Sequence, residues 1–157
     1  MFTKYLIVFL VSMVPLMELR LAVPMAVGMG LDYWISLVVC VIGNMLPVPV
    51  IYLFARKVLV WGAGKKRVGK FFRFFLDKGE KAGQKLMAKA GRGGLFVALL
   101  LFVGIPIPGT GAWTGTLAAS FLNMGIKSTA GAVSLGVVMA GIIMGVGSHT
   151  ALHVFGL

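Results

Sequence analysis

A charged decapeptide inside the apolar N-terminal segment limits what this chain can fold into. Residues 15–24 read Pro-Leu-Met-Glu-Leu-Arg-Leu-Ala-Val-Pro, and apolar runs precede and follow them. An ionised side chain at the centre of a bilayer costs about 2.5–3.5 kcal/mol on insertion scales. The two prolines also remove two backbone N–H donors from any helix. We therefore expect Glu18 and Arg20 to face protein or a water-filled cavity and to form a functional site.

The composition places this segment in a membrane protein. The 157 residues are 59% hydrophobic and 12% charged, and the mean hydropathy is +1.00. The apolar runs are long and do not alternate with polar residues, which favours α-helices over a transmembrane barrel. The net charge of +11 is concentrated in residues 56–92, which hold twelve of the 15 Lys and Arg. This pattern is typical of one basic loop, so we expect no nucleic-acid partner.

Each half of the chain repeats one pattern, in which a short apolar run, a Pro- or Gly-rich break and a second short run precede a long apolar segment. A run of about ten residues is too short for a hydrocarbon core of about 30 Å, which needs about 20 helical residues. We expect residues 1–31 to form a re-entrant hairpin and residues 32–57 a transmembrane helix. Residues 94–125 are expected to form a second hairpin and residues 127–156 a second transmembrane helix.

A basic amphipathic segment joins the two halves. Residues 61–93 place phenylalanines at three- and four-residue spacing among many lysines and arginines. A basic helix of this type lies in the membrane interface, and each Lys or Arg near an anionic leaflet contributes about 1 kcal/mol. We expect residues 65–92 to contact the lipids of an anionic leaflet.

The charge distribution predicts the topology. By the positive-inside rule the basic loop of residues 56–93 is cytoplasmic, and the two hairpins then enter the membrane from opposite sides. The exits of the hairpins look alike in the sequence, since residues 29–32 and 124–127 share a Met-Gly-apolar-polar order. The expected fold is a single all-α membrane domain of residues 1–157, built from two inverted repeats in the cell membrane. Four full spans are the competing model.

The second break carries no charge, but it is rich in amides and hydroxyls. Residues 104–116 read Gly-Ile-Pro-Ile-Pro-Gly-Thr-Gly-Ala-Trp-Thr-Gly-Thr, and the amides of such a turn can cradle an anion. The planar guanidinium of Arg20 suits a phosphate, and Glu18 is a candidate for proton exchange. Alternatively, the two charges hold the tip of the hairpin. The candidate substrate and proton site comprises Pro15, Glu18, Arg20, Pro24, Pro106, Pro108, Gly109, Thr110, Gly111 and Trp113.

Other polar residues give weaker signals. Asn44 and His149 are secondary candidates, with Asn44 expected to bond a neighbouring helix. His149 and His153 share a helix face, but no third ligand stands nearby, so no metal site is expected. Nothing resembles a catalytic arrangement, and we expect neither enzymatic activity nor a cofactor.

Two motifs carry a family resemblance over nearly the whole chain. They are Pro15-x-x-Glu-x-Arg-x-Ala-x-Pro24 and Pro106-x-Pro-Gly-Thr-Gly-Ala-Trp113. Together they resemble the prokaryotic family called putative small multidrug export proteins, whose architecture is similar to that of the DedA (VTT) membrane proteins. The likeness implies two inverted re-entrant hairpins and the movement of lipid phosphates, with Glu18 and Arg20 as the charged pair. This chain departs from that pattern because it has no acid after Pro108-Gly109.

These observations predict a membrane transporter for a small amphiphilic or lipid-phosphate-like substrate, coupled to protons through Glu18 and Arg20. One alternative is a drug/proton antiporter with Glu18 as the coupling acid. Another is a non-transporting protein that organises the membrane through its basic loop. Two spans and two hairpins bury little core, which favours a homodimer.

Overall fold

The computed structural model describes residues 1–15, 17–65, 69–107 and 110–155, and within these ranges every regular element is an α-helix. The helices are α1 Phe2–Met13, α2 Glu18–Gly28, α3 Tyr33–Met45, α4 Pro47–Ala63, α5 Gly69–Gly104, α6 Ala112–Phe121 and α7 Ile126–Phe155. The prediction of an all-helical chain is confirmed.

Two stretches of helix are long and apolar enough to cross a membrane. One is Tyr33–Ala63, with mean hydropathy 2.2, and the other is Ile126–Ala151, with mean hydropathy 2.0. The first comprises α3 and α4, which meet at Leu46 with helical backbone angles (φ −57°, ψ −44°). It extends to Ala63, six residues beyond the expected end at residue 57, because α4 continues into the start of the expected amphipathic segment.

The molecule is apolar on the outside and partly polar within. Trp34 is 67% exposed and Val146 is 64% exposed, whereas Ser36, Asn44 and Thr129 are buried. Soluble proteins rarely expose large contiguous apolar surfaces, whereas membrane helices face lipid with apolar residues and each other with small and polar ones. The distribution of side chains is therefore that of a membrane protein.

The remaining apolar helices are short. At 1.5 Å per residue, the 12 residues of α1, the 11 of α2 and the 10 of α6 span about 18, 16 and 15 Å. None reaches across a core of about 30 Å. α1 packs against α2 and α3, whereas α6 packs against α4 and α5. The broken segments thus lie beside the long helices.

Hydrogen bonds define two ends of the molecule. Lys4 Nζ donates to the carbonyl of Met29 at 3.1 Å, so α1 begins where α2 ends. At the other end, the Tyr52 hydroxyl donates to the carbonyl of Met124, and Arg56 donates to Asn123 Oδ1. We call these the Lys4 end and the Arg56 end. The α1–α2 pair has its open side at the Lys4 end.

The two halves share their helix caps. Gly30 (φ 69°) and Asn123 (φ 56°) both take the left-handed conformation that ends many helices. The next amide bonds back over five residues in each half, from Leu31 to Ala26 and from Met124 to Ala119, at 3.0 Å. Gly30 therefore corresponds to Asn123, 93 residues later.

In each half, a glycine of one helix also lies unusually close to a backbone carbonyl of another helix. A Cβ built on Gly43 of α3 would lie 2.8 Å from the carbonyl oxygen of Phe9 in α1. A Cβ on Gly136 of α7 would lie 2.8 Å from that of Leu100 in α5. Gly43 and Gly136 are again 93 residues apart, so the approach of α3 to α1 and that of α7 to α5 occur at corresponding positions.

The basic segment is part of α5. This helix runs from Gly69 to Gly104 and changes direction at Gly91, whose angles (φ 66°, ψ −173°) are not helical. The boundary between the basic and the apolar part thus falls at Gly91, since glycine adopts a positive φ at little cost. Lipid contact by the basic part stays a prediction.

Candidate functional site

The first break is shorter than its prolines indicate. α1 ends at Met13, Val14 is extended, and α2 begins at Glu18. Pro24 lies inside α2, which continues to Gly28. Glu18 has a φ of 49°, which is unusual for a residue with a side chain and costs on the order of 1 kcal/mol. The surrounding contacts must hold Glu18 in this conformation.

The carboxylate of Glu18 caps a helix of the other half. It is 5% exposed and accepts hydrogen bonds from the amides of Ala112 (3.0 Å) and Trp113 (3.1 Å). These amides belong to the first turn of α6, where N–H groups lack partners within the helix. The positive end of the α6 dipole also favours an anion there. The buried charge of Glu18 is thereby stabilised.

Gly111 makes room for this cap. Its backbone is extended (φ −171°, ψ −171°), and a Cβ built on it would lie 2.6 Å from Cδ of Glu18. Any larger residue would therefore displace the carboxylate. The Gly111 amide donates to Thr114 Oγ1 at 2.9 Å, which fixes the start of α6.

Arg20 caps the other side of the second break. Its guanidinium donates to the carbonyl of Ile107, to those of Ile105 (3.2 Å) and Val103 (3.3 Å), and to Thr110 Oγ1 (2.8 Å). The carbonyls come from the last turn of α5 and the loop after it, where a helix dipole is negative and a cation is favoured.

Glu18 and Arg20, which we call the capping pair, thus hold the two ends of the second break. They form no salt bridge with each other, because each is engaged by backbone groups more than 80 residues away in the sequence. The sequence left two roles for these charges, a substrate site and a clamp that holds the break. The hydrogen bonds are those of a clamp. Glu18 and Arg20 also line a cavity.

A cavity of about 220 Å³ lies at the capping pair. Its lining residues are Pro15, Glu18, Arg20, Thr110, Gly111, Trp113, Thr114 and Leu117. The structure therefore brings together six of the residues singled out in the sequence. Leu117 was not predicted, and Thr114 was expected only as one of the hydroxyls of the second break. Their spacing of three and six residues after Gly111 places them on the side of α6 that faces the break.

An apolar groove of about 360 Å³ adjoins this cavity between α4 and α6. Its lining residues are Ile51, Phe54, Ala55, Val58, Trp113, Leu117 and Phe121. Trp113 and Leu117 belong to both linings, so the polar cavity and the groove meet at these two side chains. Trp113 Nε1 is buried and has no hydrogen-bond partner. A buried N–H without a partner costs about 1–3 kcal/mol, which makes this indole a free donor for a ligand.

Four of the other candidates, all among the described residues, do not line the cavity. Pro24 is in α2, and Pro106 lies outside the lining. Asn44 is buried in α3, and its Oδ1 has no described partner. His149 is exposed near the Lys4 end, with its ring 6.0 Å from that of Tyr33. Pro108, Gly109 and the side chain of His153 lie outside the part of the chain that the structure describes.

Comparison with known families is decisive at this point. Residues 18–143 match the model of a family described as "Putative small multi-drug export protein". The match begins at Glu18, directly after the first break, and includes Arg20 and the whole second break. The chain belongs to this family. The resemblance read from the two motifs is therefore confirmed, while the likeness to DedA proteins stays a prediction. Searches of curated proteins and of solved structures found no match.

Membership of an export family and the two long apolar helices agree with each other. The helices indicate a helical membrane protein, and the family description suggests a role in export. Among the described side chains, no group of three His, Cys, Asp or Glu is placed to hold a metal ion. The chemistry available at the cavity is accordingly that of one carboxylate, one guanidinium, hydroxyls and an indole N–H.

Proposed function

We propose that this chain is a transporter that moves a small amphiphile across the cytoplasmic membrane through the cavity at the capping pair. The observation that carries this proposal is the junction at Trp113 and Leu117, where a polar cavity meets an apolar groove. An amphiphile needs both, because its head group must keep hydrogen bonds while its tail stays out of water.

The polar groups of the cavity favour a head group that accepts hydrogen bonds. Trp113 Nε1 is a donor without a partner, and Arg20 contributes a positive charge. The charge of Glu18 is already compensated by two amides. A phosphate or a similar oxyanion satisfies these donors, whereas a cation would be repelled by Arg20.

We further propose that the two halves are inverted repeats with re-entrant hairpins. The shared caps at Gly30 and Asn123 and the shared approaches at Gly43 and Gly136 support a common construction. In transporters of this type, broken helices meet near the middle of the membrane and form the substrate site. The positive-inside rule places the Arg56 end, with the basic part of α5 on an anionic leaflet, in the cytoplasm.

Proton coupling would act through the cap on α6. Protonation of Glu18 removes the charge from both of its hydrogen bonds, and bonds to a charged group are roughly twice as strong as neutral ones. The N-terminus of α6 is then held less firmly against α2. A proton reaching Glu18 through the cavity would thereby favour opening of the junction between the hairpins.

The test uses proteoliposomes and a short-chain phosphatidylglycerol with a fluorescent tail, whose transfer is followed by quenching from one side. The unmodified chain should transfer the probe faster than empty liposomes. Trp113→Phe keeps an aromatic ring, although a smaller one, and removes the donor, so transfer should slow about tenfold for the loss of a hydrogen bond of about 1.5 kcal/mol. Asp32→Asn changes a carboxylate at the Lys4 end and should have no effect.

Transfer no faster than in empty liposomes would refute this substrate class. A drug/proton antiporter is the second candidate, because Glu18 lines the cavity and the groove suits an aromatic cation. Uptake of tetraphenylphosphonium that is driven by a proton gradient and abolished by Glu18→Gln would establish that function instead. If neither probe moves, the membrane-organising role predicted from the basic segment becomes the better account.

A further inference from the structure

A second polar cavity, of about 380 Å³, lies at the Arg56 end. Its lining residues are Arg92, Leu95, Asn123, Met124, Gly125, Lys127 and Ser128. It shares no lining residue with the cavity at the capping pair. It lies between the start of the apolar part of α5 and the turn that joins α6 to α7. The proposed transport mechanism does not use it.

The charged side chains described around this cavity are all positive. Arg92 and Lys127 line it, and Arg56 reaches its rim through the hydrogen bond to Asn123 Oδ1. Within the described residues, none of these three cations forms an ion pair with a carboxylate. A concave site lined by charges of one sign concentrates the opposite charge, so this cavity attracts anions.

The N-terminus of α7 lacks the side-chain cap that the corresponding helix of the first half, α3, has. Asp32 holds the N-cap position of α3, because its carbonyl accepts from the Ser36 amide, and its carboxylate accepts from the Ile35 amide at 2.9 Å. The corresponding N-cap of α7 is Gly125, whose carbonyl accepts from the Thr129 amide. Gly125 has no side chain to serve as the cap.

The counterpart of the Ile35 amide is the amide of Ser128, again 93 residues later. Among the described residues, none accepts a hydrogen bond from the Ser128 amide. Ser128 lines the same cavity as Arg92 and Lys127. An uncapped amide, a hydroxyl and two unneutralised cations therefore converge on one space.

We propose that this cavity binds a phosphate group, with Arg92 and Lys127 as its charge partners and Ser128 as its backbone and hydroxyl donor. Phosphate suits the arrangement better than a carboxylate, because its oxygens accept bonds from several directions at once and a guanidinium can hold two of them. The phosphate is supplied either by the head group of an anionic lipid or by a soluble phosphate ester.

The experiment measures ligand-induced changes in the thermal unfolding of the full chain in neutral detergent. The probes are dioctanoyl phosphatidylglycerol, glycerol 3-phosphate and dioctanoyl phosphatidylcholine, the last as a zwitterionic control. We expect saturable stabilisation by phosphatidylglycerol and not by phosphatidylcholine. Stabilisation by glycerol 3-phosphate as well assigns the site to phosphate esters in general. Stabilisation by phosphatidylglycerol alone assigns it to a lipid head group. Both outcomes support the proposal.

Two variants locate the binding. The double variant Arg92→Gln/Lys127→Gln should weaken binding of phosphatidylglycerol at least tenfold. Lys81→Gln/Lys89→Gln removes the same charge from exposed positions of the basic segment, which attract anionic lipid only diffusely, and should weaken saturable binding far less. Equal weakening by both double variants would overturn the proposal, because it would show attraction to the surface charge alone.

Gly125→Asp gives the sharper test. The structure has nothing within 4 Å of a Cβ at Gly125, so the substitution fits. It supplies the cap that Asp32 provides in the first half, and it should raise the unfolding temperature while abolishing binding. Full binding by a stably folded Gly125→Asp chain would overturn the proposal. Normal binding here together with failed transport would count against the proposed function alone.

Discussion

The cap on α6 makes a prediction that can be worked from two hydrogen bonds. In Glu18→Gln, the amide oxygen keeps one bond to α6, but the NH₂ group faces the second amide and leaves it unpaired. Losing a bond to a charged group costs about 1.5–3 kcal/mol, and the remaining bond weakens by about 1 kcal/mol when its acceptor becomes neutral. Easier burial of the neutral side chain offsets part of this loss. We expect a net destabilisation of about 2–3 kcal/mol.

The assay is equilibrium unfolding in mixed micelles with increasing denaturing detergent, followed by tryptophan fluorescence. Trp113 is a suitable reporter because its own amide is one of the two donors to Glu18. Asp32→Asn is the matched control, since asparagine caps a helix about as well as aspartate and the change should cost less than about 0.5 kcal/mol. If Glu18→Gln costs no more than Asp32→Asn, the capping role of Glu18 is wrong.

Two further predictions test the remaining contacts in the same assay. Gly43→Ala and Gly136→Ala should each destabilise the chain by about 1–3 kcal/mol, because the new methyl meets a backbone carbonyl. Gly147→Ala, in open space on α7, should be neutral or stabilising, and equal effects at all three sites would refute the shared approach. Arg20→Lys should cost about 1–3 kcal/mol, since one ammonium cannot reach acceptors that a guanidinium spans, whereas exposed Arg73→Lys should change stability little.

The sequence was sufficient to locate both breaks and the capping pair. A charge in an apolar run must have a protein partner, and short runs beside prolines cannot span a membrane; these are local arguments. The groups that bind Glu18 and Arg20 could not be predicted by such local arguments. Apart from Thr110 Oγ1, they are backbone amides and carbonyls of the other half, and backbone groups leave no signature in the residue types.

The repeat shows a second limit of sequence reasoning. The Met-Gly letters of residues 29–30 recur at residues 124–125, yet the helix caps align Gly30 with Asn123, two residues earlier in the second half. Both glycine and asparagine adopt a positive φ readily, so the shared property is conformational and not a shared letter. Pro24 was similarly taken for the end of a break, although α2 accommodates it.

The proposed transport site requires two hairpins that enter the membrane from opposite sides and meet at the capping pair. The most direct test places single cysteines in a Cys40→Ala chain and labels them with an impermeant maleimide in intact cells and in inverted vesicles. Lys127→Cys should react from the cytoplasmic side, together with Lys81→Cys in the basic segment, and Asp32→Cys should react from the outside. Labelling of Lys127→Cys from the side opposite to Lys81→Cys would require four full spans and would contradict the account.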